Sequence, residues 1–376
     1  MALLDLRQRG EARQERIAEW EKIAQDSSSP TAESPSWDEQ YQNFELLLRH
    51  DFLGEPRSAG ELRFFPKLRP LRDALLAYEA YKHENDSSWS FFSSLLPRIF
   101  RAACSCDEAS ADAHALSPSQ VASYVSNAFL LNVRGPLDFM SSGKDPLFVS
   151  GAKIAPQKVL CLLAYLDEAL HGGLDEASDE RTISFERVSG PDWEQAAAPA
   201  VQQPLHETVE LAAEGEPRPG EAEAGAEAVV CDAVLLFCSP SFGGGAVEGL
   251  SATQEEIGLL RYPEALLGLL CFPTPLLPRE ALLVRGVRRY CDTRGYAHTF
   301  AFAGRPSSRR AAPVTLLGLD AARCPGPAQF APALVARELT KAHAGFAALA
   351  RSGARCCETG LWGCEGFSGG QPVLRM

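Results

Sequence analysis

The sequence predicts an α/β fold, in which a mixed sheet flanked by helices follows an α-helical N-terminal accessory region. Two observations predict it. From residue 41 to residue 170, apolar residues recur at spacings of three and four, which is typical of helices with one buried face. From Thr182 onward, short alternating or continuous apolar runs are separated by glycine, proline and acidic segments, which indicates strands. The chain therefore changes from helical to mixed structure near residue 180.

Length and charge restrict the possible classes of protein. The chain has 376 residues and a formal net charge of −13, so it is long enough for about two domains. An acidic chain repels polyanions, and we expect no direct nucleic acid binding and no membrane association. Its apolar runs are too short for a signal peptide or a transmembrane helix. We expect a monomer without a cofactor, located in the nucleus, the cytoplasm or both.

The eleven cysteines are scattered along the chain without a Cys-x-x-Cys pair. Two groupings, Cys104-x-Cys106 and Cys356-Cys357 with Cys364, have no histidine at the spacing of a zinc site. We therefore expect free thiols in a reducing compartment and no metal site.

Composition predicts three regions. Residues 1–37 form a charged helix or arm followed by a linker rich in Ser and Pro. Residues 38–177 form the helical accessory region, and residues 178–376 form the domain built around the sheet. Within this domain, residues 216–228 are of low complexity and are expected to be a flexible surface insertion.

Local signals predict the individual elements. Ser117 and Pro118 are typical of a helix N-cap and first turn, and Asn127 on that helix is expected to have a structural role. A second buried helix falls within residues 145–170. Strands are predicted at residues 182–188, 206–214, 229–237, 281–287 and 313–320, and a helix at residues 330–349.

The most specific pattern follows the strand at residues 229–237. Three consecutive glycines, Gly243-Gly244-Gly245, are separated by eight residues from Gln254-Glu255-Glu256 at the start of an apolar-periodic helix. Glycines allow backbone N–H groups to approach an anion closely. Carboxylates cannot bind a phosphate directly, but they suit acid–base chemistry. This stretch therefore indicates a phosphate loop followed by an acid–base group.

A structural interpretation fits the same residues. Ser251 or Thr253 is a good N-cap, and Gln254 or Glu256 lies three residues later, as a capping box requires. Acidic residues in a first turn also favour the helix dipole. Taken alone, the stretch is therefore also typical of an ordinary loop and a capped helix.

The combination of glycines and Gln-Glu-Glu resembles the signature of the poly(ADP-ribose) glycohydrolase family. Further matches follow the order of that family from about Trp89 to the C-terminus: LSPSQVASYVSNAF, GYA, RELTKA and TGLWGCEGFSGG. The resemblance implies a macrodomain-like catalytic domain over residues 178–376. It also implies hydrolysis of the ribose–ribose O-glycosidic bonds of poly(ADP-ribose), with poly(ADP-ribose) and ADP-ribosylated proteins as partners.

The resemblance also implies roles for individual residues. Glu256 corresponds to the general acid and base of a reaction with an oxocarbenium-like transition state, and Glu255 to a group that binds ribose hydroxyls. The resemblance implies that Glu214 binds adenine; the alternative is that Glu214 is a solvent-exposed residue at the end of a strand. For Tyr296, implied to cover the ADP-ribose, the alternative is a packing role. The implied substrate-binding residues are Gly243, Gly244, Gly245, Gln254, Tyr296, Glu214, Gly363, Cys364 and Phe367.

Departures from the family favour a second hypothesis, a catalytically weak or inactive relative that binds ADP-ribose. Leu236 and Ser239 replace an Asp and an Asn of the family before the glycines, and Leu361 replaces an Asn beside the tryptophan. These changes remove polar groups that orient a substrate. The chain also ends at Met376, soon after its last glycine pair, so we expect a truncated C-terminus and, as a further alternative, a product that folds poorly. A third class, an ordinary nucleotide phosphate-binding protein, is disfavoured because no Gly-Lys-Ser/Thr follows the glycines.

Overall fold

The computed structural model describes residues 35–53, 68–105, 115–133, 135–140, 143–171, 179–191, 231–306, 312–324, 326–360 and 362. The helices are α1 (Trp37–Leu53), α2 (Arg69–His83), α3 (Leu96–Cys104, after a π-helical turn at Phe91–Leu95), α4 (Pro118–Phe129), α5 (Ala155–Ala169), α6 (Gln254–Arg261), α7 (Gly268–Cys271) and α8 (Pro332–Arg351). The strands are β1 (Ala115–Leu116), β2 (Ile183–Ser189), β3 (Ala233–Phe237), β4 (Glu280–Val287), β5 (Asp292–Arg294), β6 (Ala301–Gly304), β7 (Val314–Leu319) and β8 (Cys357–Glu358). Short 3₁₀ turns lie at Pro263–Leu267, Ala297–Thr299 and Gly326–Phe330.

The mixed α/β architecture predicted from the sequence is confirmed. Strands β2, β4 and β7 and helix α8 lie within two residues of their predicted bounds, and β3 occupies the second half of the predicted apolar run. The strand predicted at residues 206–214 and the insertion at residues 216–228 lie outside the described residues, as does nearly all of the N-terminal region. Among the described helices, none combines the length and the apolar character needed to cross a bilayer.

The chain forms two compact units that are not continuous in sequence. The first comprises residues 1–182, 245–271 and 289–311, and the second comprises residues 183–244, 272–288 and 312–376. Helix α6 and the β5–β6 hairpin therefore belong to the same unit as the N-terminal helices. The domain boundaries predicted from composition stay a prediction.

A buried carboxylate connects the helices of the first unit. Asp167 of α5 accepts hydrogen bonds from Lys82 of α2 at 2.9 Å and Arg98 of α3 at 2.9 Å, and Tyr78 and Arg305 also donate to it. Burial alone raises the pKa of Asp167, but the hydrogen bond from Lys82 and the charges of the two arginines lower it further than burial raises it. The carboxylate therefore stays ionised and holds these elements together.

Helix α4 begins as the sequence predicts. The Ser117 hydroxyl accepts the N–H of Gln120 at 3.2 Å, and the Gln120 side chain accepts the N–H of Ser117 at 2.9 Å, which completes a capping box. Asn127 is buried, and its amide donates to the carbonyls of Ala103 at 3.0 Å and Ser123 at 2.9 Å. These bonds to the backbone fit the structural role expected of Asn127.

The second unit is built on a mixed sheet covered by α8. In the order β2-β4-β7-β3-β8, the first pairs are antiparallel, and β3 pairs in parallel with both β7 and β8. Helix α8 approaches the sheet closely at Gly345, where a Cβ atom would lie 2.8 Å from Leu317 Cδ1. The core contains Val188, Ala233, Leu235, Ala281, Leu283, Leu317, Leu319, Ala348 and Leu349.

The RELTKA motif of α8 binds the residue that follows β7 through ion pairs. Lys341 and Arg337 both form ion pairs with Asp320, the residue after β7, and Lys341 also donates to the carbonyl of Leu277 at 3.0 Å. Lys341 and Asp320 are fully buried. Burial lowers the pKa of Lys341, while the adjacent Asp320 opposes this shift. The motif therefore has a direct role in packing the helix on the sheet.

The structure pairs two cysteines that the sequence analysis expected to be free. Cys231, before β3, forms a disulfide with Cys356, before β8. The expectation is wrong for this pair because the parallel register of β3 and β8 brings together residues that are 125 positions apart in sequence. Elsewhere in the described ranges, the thiols of Cys161, Cys291, Cys324 and Cys357 are free.

Replacing Lys341 with Met should lower the free energy of unfolding by about 3 kcal/mol. Asp320 would remain buried with one of its cationic partners removed, which is costly for an ionised group. Urea unfolding at pH 7 measures this loss. Lys144→Met, at an exposed lysine, is the control and should change stability by about 0.5 kcal/mol or less. Equal losses in both variants would contradict the role of the ion pair.

Candidate active site

The glycine triplet lies on the loop that follows β3 and leaves the sheet beside the end of β7. After β3, the N–H of Cys238 donates to the carbonyl of Leu319 at 3.0 Å, so the chain leaves the sheet beside the end of β7. Gly243 and Gly244 then have φ values of +102° and +43°. Glycine adopts this left-handed backbone region without steric strain. The turn therefore requires glycine at both positions for its backbone conformation.

Glu256 lies in the first turn of α6, and both oxygens of its carboxylate are held. Oε1 accepts the N–H of Gly245 at 2.9 Å, and Oε2 accepts the N–H of Thr253 at 2.7 Å. The Thr253 hydroxyl also donates to Oε2. The side chain is only 8 % exposed. The structure thus brings the predicted acid–base residue directly onto the last glycine of the triplet.

The same contacts match the structural interpretation of this stretch. The bond from Thr253 N–H to Glu256 is the acidic half of a capping box, which the sequence allowed for this pair of residues. Glu255, on the same turn, is 4 % exposed, and Gln254 is half-buried. Glu256 therefore stabilises the start of α6 and also faces the loop.

A fully buried lysine, which the sequence analysis missed, contacts the same loop. Lys158 of α5 donates through Nζ to the carbonyls of Gly245 at 2.8 Å and Glu248 at 2.7 Å. Burial lowers the pKa of Lys158 to about 8, although the nearby Glu256 and Glu248 raise it. A signal for this residue was present, because a lysine four residues before Leu162 falls on the apolar face of the predicted helix.

Backbone pairing holds the loop against the segment that precedes α5. The N–H of Leu147 donates to the carbonyl of Val247 at 3.1 Å, and the N–H of Gly249 donates to the carbonyl of Asp145 at 2.8 Å. The backbone at Gly249 lies close to Ser150, since a Cβ atom at Gly249 would lie 2.0 Å from Ser150 Oγ. The loop between the triplet and α6 is therefore fixed along its length.

Tyr296 lies on a turn that is hydrogen-bonded to the segment before α6. The N–H of Ala297 donates to the carbonyl of Ala252 at 2.8 Å, and the N–H of Ala252 donates back at 3.3 Å. The N–H of Tyr296 donates to the Thr299 hydroxyl at 3.0 Å, and Ala297 has a left-handed φ of +50°. The tyrosine side chain is 42 % exposed. An aromatic ring held on a rigid turn in this way is suited to stacking on a ligand.

The remaining predicted site residues are not among those that the structure describes. Glu214, Gly363, Cys364 and Phe367 lie outside the described residues, as does Leu361. Of the remaining departures from the family, Leu236 is buried in β3 and Ser239 is half-buried after it. The described site therefore consists of the loop, the start of α6, Lys158 and the Tyr296 turn.

Comparison with known proteins shows the fold class of the sheet domain and the family that it resembles. Residues 228–376 match the family model described as Poly (ADP-ribose) glycohydrolase (PARG), Macro domain fold. The sheet with its flanking helices is thus a macrodomain. The resemblance found in the sequence is confirmed, because these residues match the model of the poly(ADP-ribose) glycohydrolase family.

Two relatives from Arabidopsis thaliana support this assignment. The chain is 27 % identical to probable poly(ADP-ribose) glycohydrolase 2 over 122 residues, which cover 31 % of this chain and 23 % of the relative. It is 31 % identical to poly(ADP-ribose) glycohydrolase 1 over 118 residues, which cover 29 % of this chain and 21 % of the relative. The matched segment therefore spans less than a quarter of either relative.

Replacing Gly295 with Ala should disrupt the Tyr296 turn. Gly295 has a φ of +73°, and a Cβ atom there would lie 2.1 Å from the carbonyl oxygen of Thr299. We expect a loss of about 2–4 kcal/mol in unfolding free energy, or local opening of the turn, since backbone strain and overlap add. Hydrogen exchange at the amides of Ala252 and Ala297 measures the opening.

Gly353→Ala provides the matched control for this prediction. Its φ is +85°, but a Cβ atom there would meet nothing within 4 Å. Its unfolding free energy should therefore fall only by the cost of the backbone strain, about 1–2 kcal/mol. Hydrogen exchange at the amides of Ala252 and Ala297 should not change. If both variants behave alike, the overlap with Thr299 is not what holds the turn.

Proposed function

We propose that the protein hydrolyses the ribose–ribose O-glycosidic bonds of poly(ADP-ribose) and releases ADP-ribose, with Glu256 as the general acid and base. The single observation that carries this proposal is the 2.9 Å hydrogen bond between the Glu256 carboxylate and the N–H of Gly245. It joins an acid–base group to the last residue of a glycine triplet suited to a diphosphate. The match of residues 228–376 to the family model supports the same reaction class.

The reaction needs a proton donor and then a proton acceptor at the same place. Cleavage passes through an oxocarbenium-like transition state, so protonated Glu256 would give its proton to the departing ribose oxygen. The resulting carboxylate would then take a proton from the attacking water. The hydrogen bonds from Gly245 and Thr253 hold the carboxylate in one orientation. This lowers the entropy that would be lost in orienting it toward the substrate.

The remaining predicted residues complete this proposal. Glu255 and Gln254, on the same helical turn as Glu256, would bind ribose hydroxyls and neighbouring polar groups of the substrate. Tyr296, held on its clamped turn, would stack against the ADP-ribose unit. The partners would be poly(ADP-ribose) and ADP-ribosylated proteins, in the nucleus, the cytoplasm or both.

A second candidate function is binding of ADP-ribose without efficient hydrolysis. Leu236 is a buried apolar residue at a position where the family resemblance implies a carboxylate. In addition, both oxygens of Glu256 accept internal hydrogen bonds, so its burial has a structural explanation without any catalysis. Under this hypothesis, the loop and Tyr296 would bind the nucleotide, and the bond would not be cleaved.

Replacing Glu256 with Gln should abolish most of the hydrolysis. We expect the release of ADP-ribose from poly(ADP-ribose) to fall by about a hundredfold or more, because Gln cannot transfer the proton. Chromatography of the products measures the release. Parent protein that binds ADP-ribose but releases none from the polymer would favour the second candidate function.

Glu79→Gln is the matched control for the structural part of this change. Glu79 is also 8 % exposed, and its carboxylate likewise accepts a backbone N–H, that of Phe91, at 2.8 Å. Both variants should lose about 1 kcal/mol of stability, as for loss of a cap. Glu79→Gln should keep the parent rate. A large loss of activity in both variants would mean that Glu256 acts through stability and not through chemistry.

A further inference from the structure

Lys158 is a fully buried cation whose described hydrogen bonds go to the backbone. Its ammonium group donates to the carbonyl oxygens of Gly245 at 2.8 Å and Glu248 at 2.7 Å. Burying an ammonium group is costly, and such groups are normally paired with a carboxylate. Lys158 donates to two carbonyls of one loop, and it therefore stabilises a particular conformation of that loop.

These bonds also orient the peptide groups to which the carbonyls belong. In a trans peptide the C=O and N–H bonds point to opposite sides. The Gly245 carbonyl bound to Lys158 therefore directs the N–H of Ala246 away from the lysine. Hydrogen bonds in a chain polarise one another, so a cation on the carbonyl makes the N–H of the same peptide a stronger donor to an anion. The charge thereby acts on the opposite side of the loop.

The charged surroundings make this contribution significant. The chain as a whole is acidic, with a net charge of −13, and the groups that act on Lys158 are Glu256 of α6, Glu248 of the loop and the thiol of Cys161 one turn along α5. Burial raises the pKa of Cys161, so this thiol stays neutral around pH 8. Among these groups, Lys158 supplies the positive charge.

We propose that Lys158 is a positioning residue of the site, which places a positive charge behind the glycine loop and so favours the diphosphate of an ADP-ribose unit. This inference rests on the proposed function, because that function identifies the anion. Lys158 acts through the peptide between Gly245 and Ala246 and does not contact the ligand, whereas its bond to the Glu248 carbonyl fixes a peptide whose N–H already donates to the carbonyl of Asp145 at 2.8 Å. Its role is distinct from that of Glu256, which meets the bond to be cleaved.

The pH dependence of ADP-ribose binding tests this proposal. Calorimetry with the parent protein between pH 6.5 and 9.5 should show the affinity falling about tenfold around pH 8, where Lys158 loses its charge. A unit positive charge a few ångströms behind a bound diphosphate attracts it by an amount that corresponds to about tenfold in affinity, and this attraction is lost with the charge. The variant Lys158→Met should bind about tenfold more weakly at pH 7 and show no change near pH 8. Lys158→Arg, which stays charged, should keep its affinity at pH 9.5.

Lys153→Met is the matched control, since it removes the same charge from an exposed lysine just before α5. It should keep the affinity and the pH midpoint of the parent protein. Circular dichroism reports whether each variant is folded. If the Lys158 variants do not fold, the parent profile decides: a midpoint near pH 8 that Lys153→Met retains supports the proposal, and a flat profile overturns it.

Hydrolysis of poly(ADP-ribose) in the same samples separates this inference from the proposed function. Parent protein that binds ADP-ribose with the expected midpoint but releases none from the polymer contradicts the hydrolysis and leaves the role of Lys158 supported. Parent protein that hydrolyses the polymer, with an affinity that does not change near pH 8, overturns the role of Lys158 alone. Parent protein that neither binds nor hydrolyses overturns both.

Discussion

Gly245 is the residue on which the arrangement of the site depends, because both of its backbone polar groups are used. Its N–H donates to Glu256 of α6, and its carbonyl accepts from Lys158 of α5. Buried backbone groups must be paired, so each bond removes a cost as well as fixing a position. One peptide segment thereby connects Glu256, the proposed acid–base residue, to a buried cation.

This connection gives the N-terminal helices a part in the site. Helix α5 contributes Lys158, and the segment before α5 pairs with the loop at Val247 and Gly249. The compact unit that contains α5 also contains α6 and the turn with Tyr296. The helical region described as accessory from the sequence thus holds the loop that follows the glycine triplet. A site assembled in this way depends on packing far from it in sequence, and Asp167 with its cationic partners supplies part of that packing.

Residues that resemble a family signature divide into those for which ligand binding or catalysis is proposed and those that pack the fold. Arg337 and Lys341 belong to the second kind, since both hold the buried Asp320 at the end of β7. Glu256 caps α6, and it also faces the loop at which a catalytic role is proposed for it. Because Glu256 contributes to the stability of α6, the activity of a Glu256 variant has to be interpreted together with its free energy of unfolding.

The sequence by itself determined the elements whose signals are local. The N-cap at Ser117 and the strands β2, β3, β4 and β7 depend on residues a few positions apart. Tertiary structure alone decided the contact between Lys158 and Gly245, which are 87 positions apart, and the disulfide of Cys231 with Cys356 across 125 positions. Periodicity shows that a face is buried but does not identify what it is buried against, and these contacts exist only once the chain has folded.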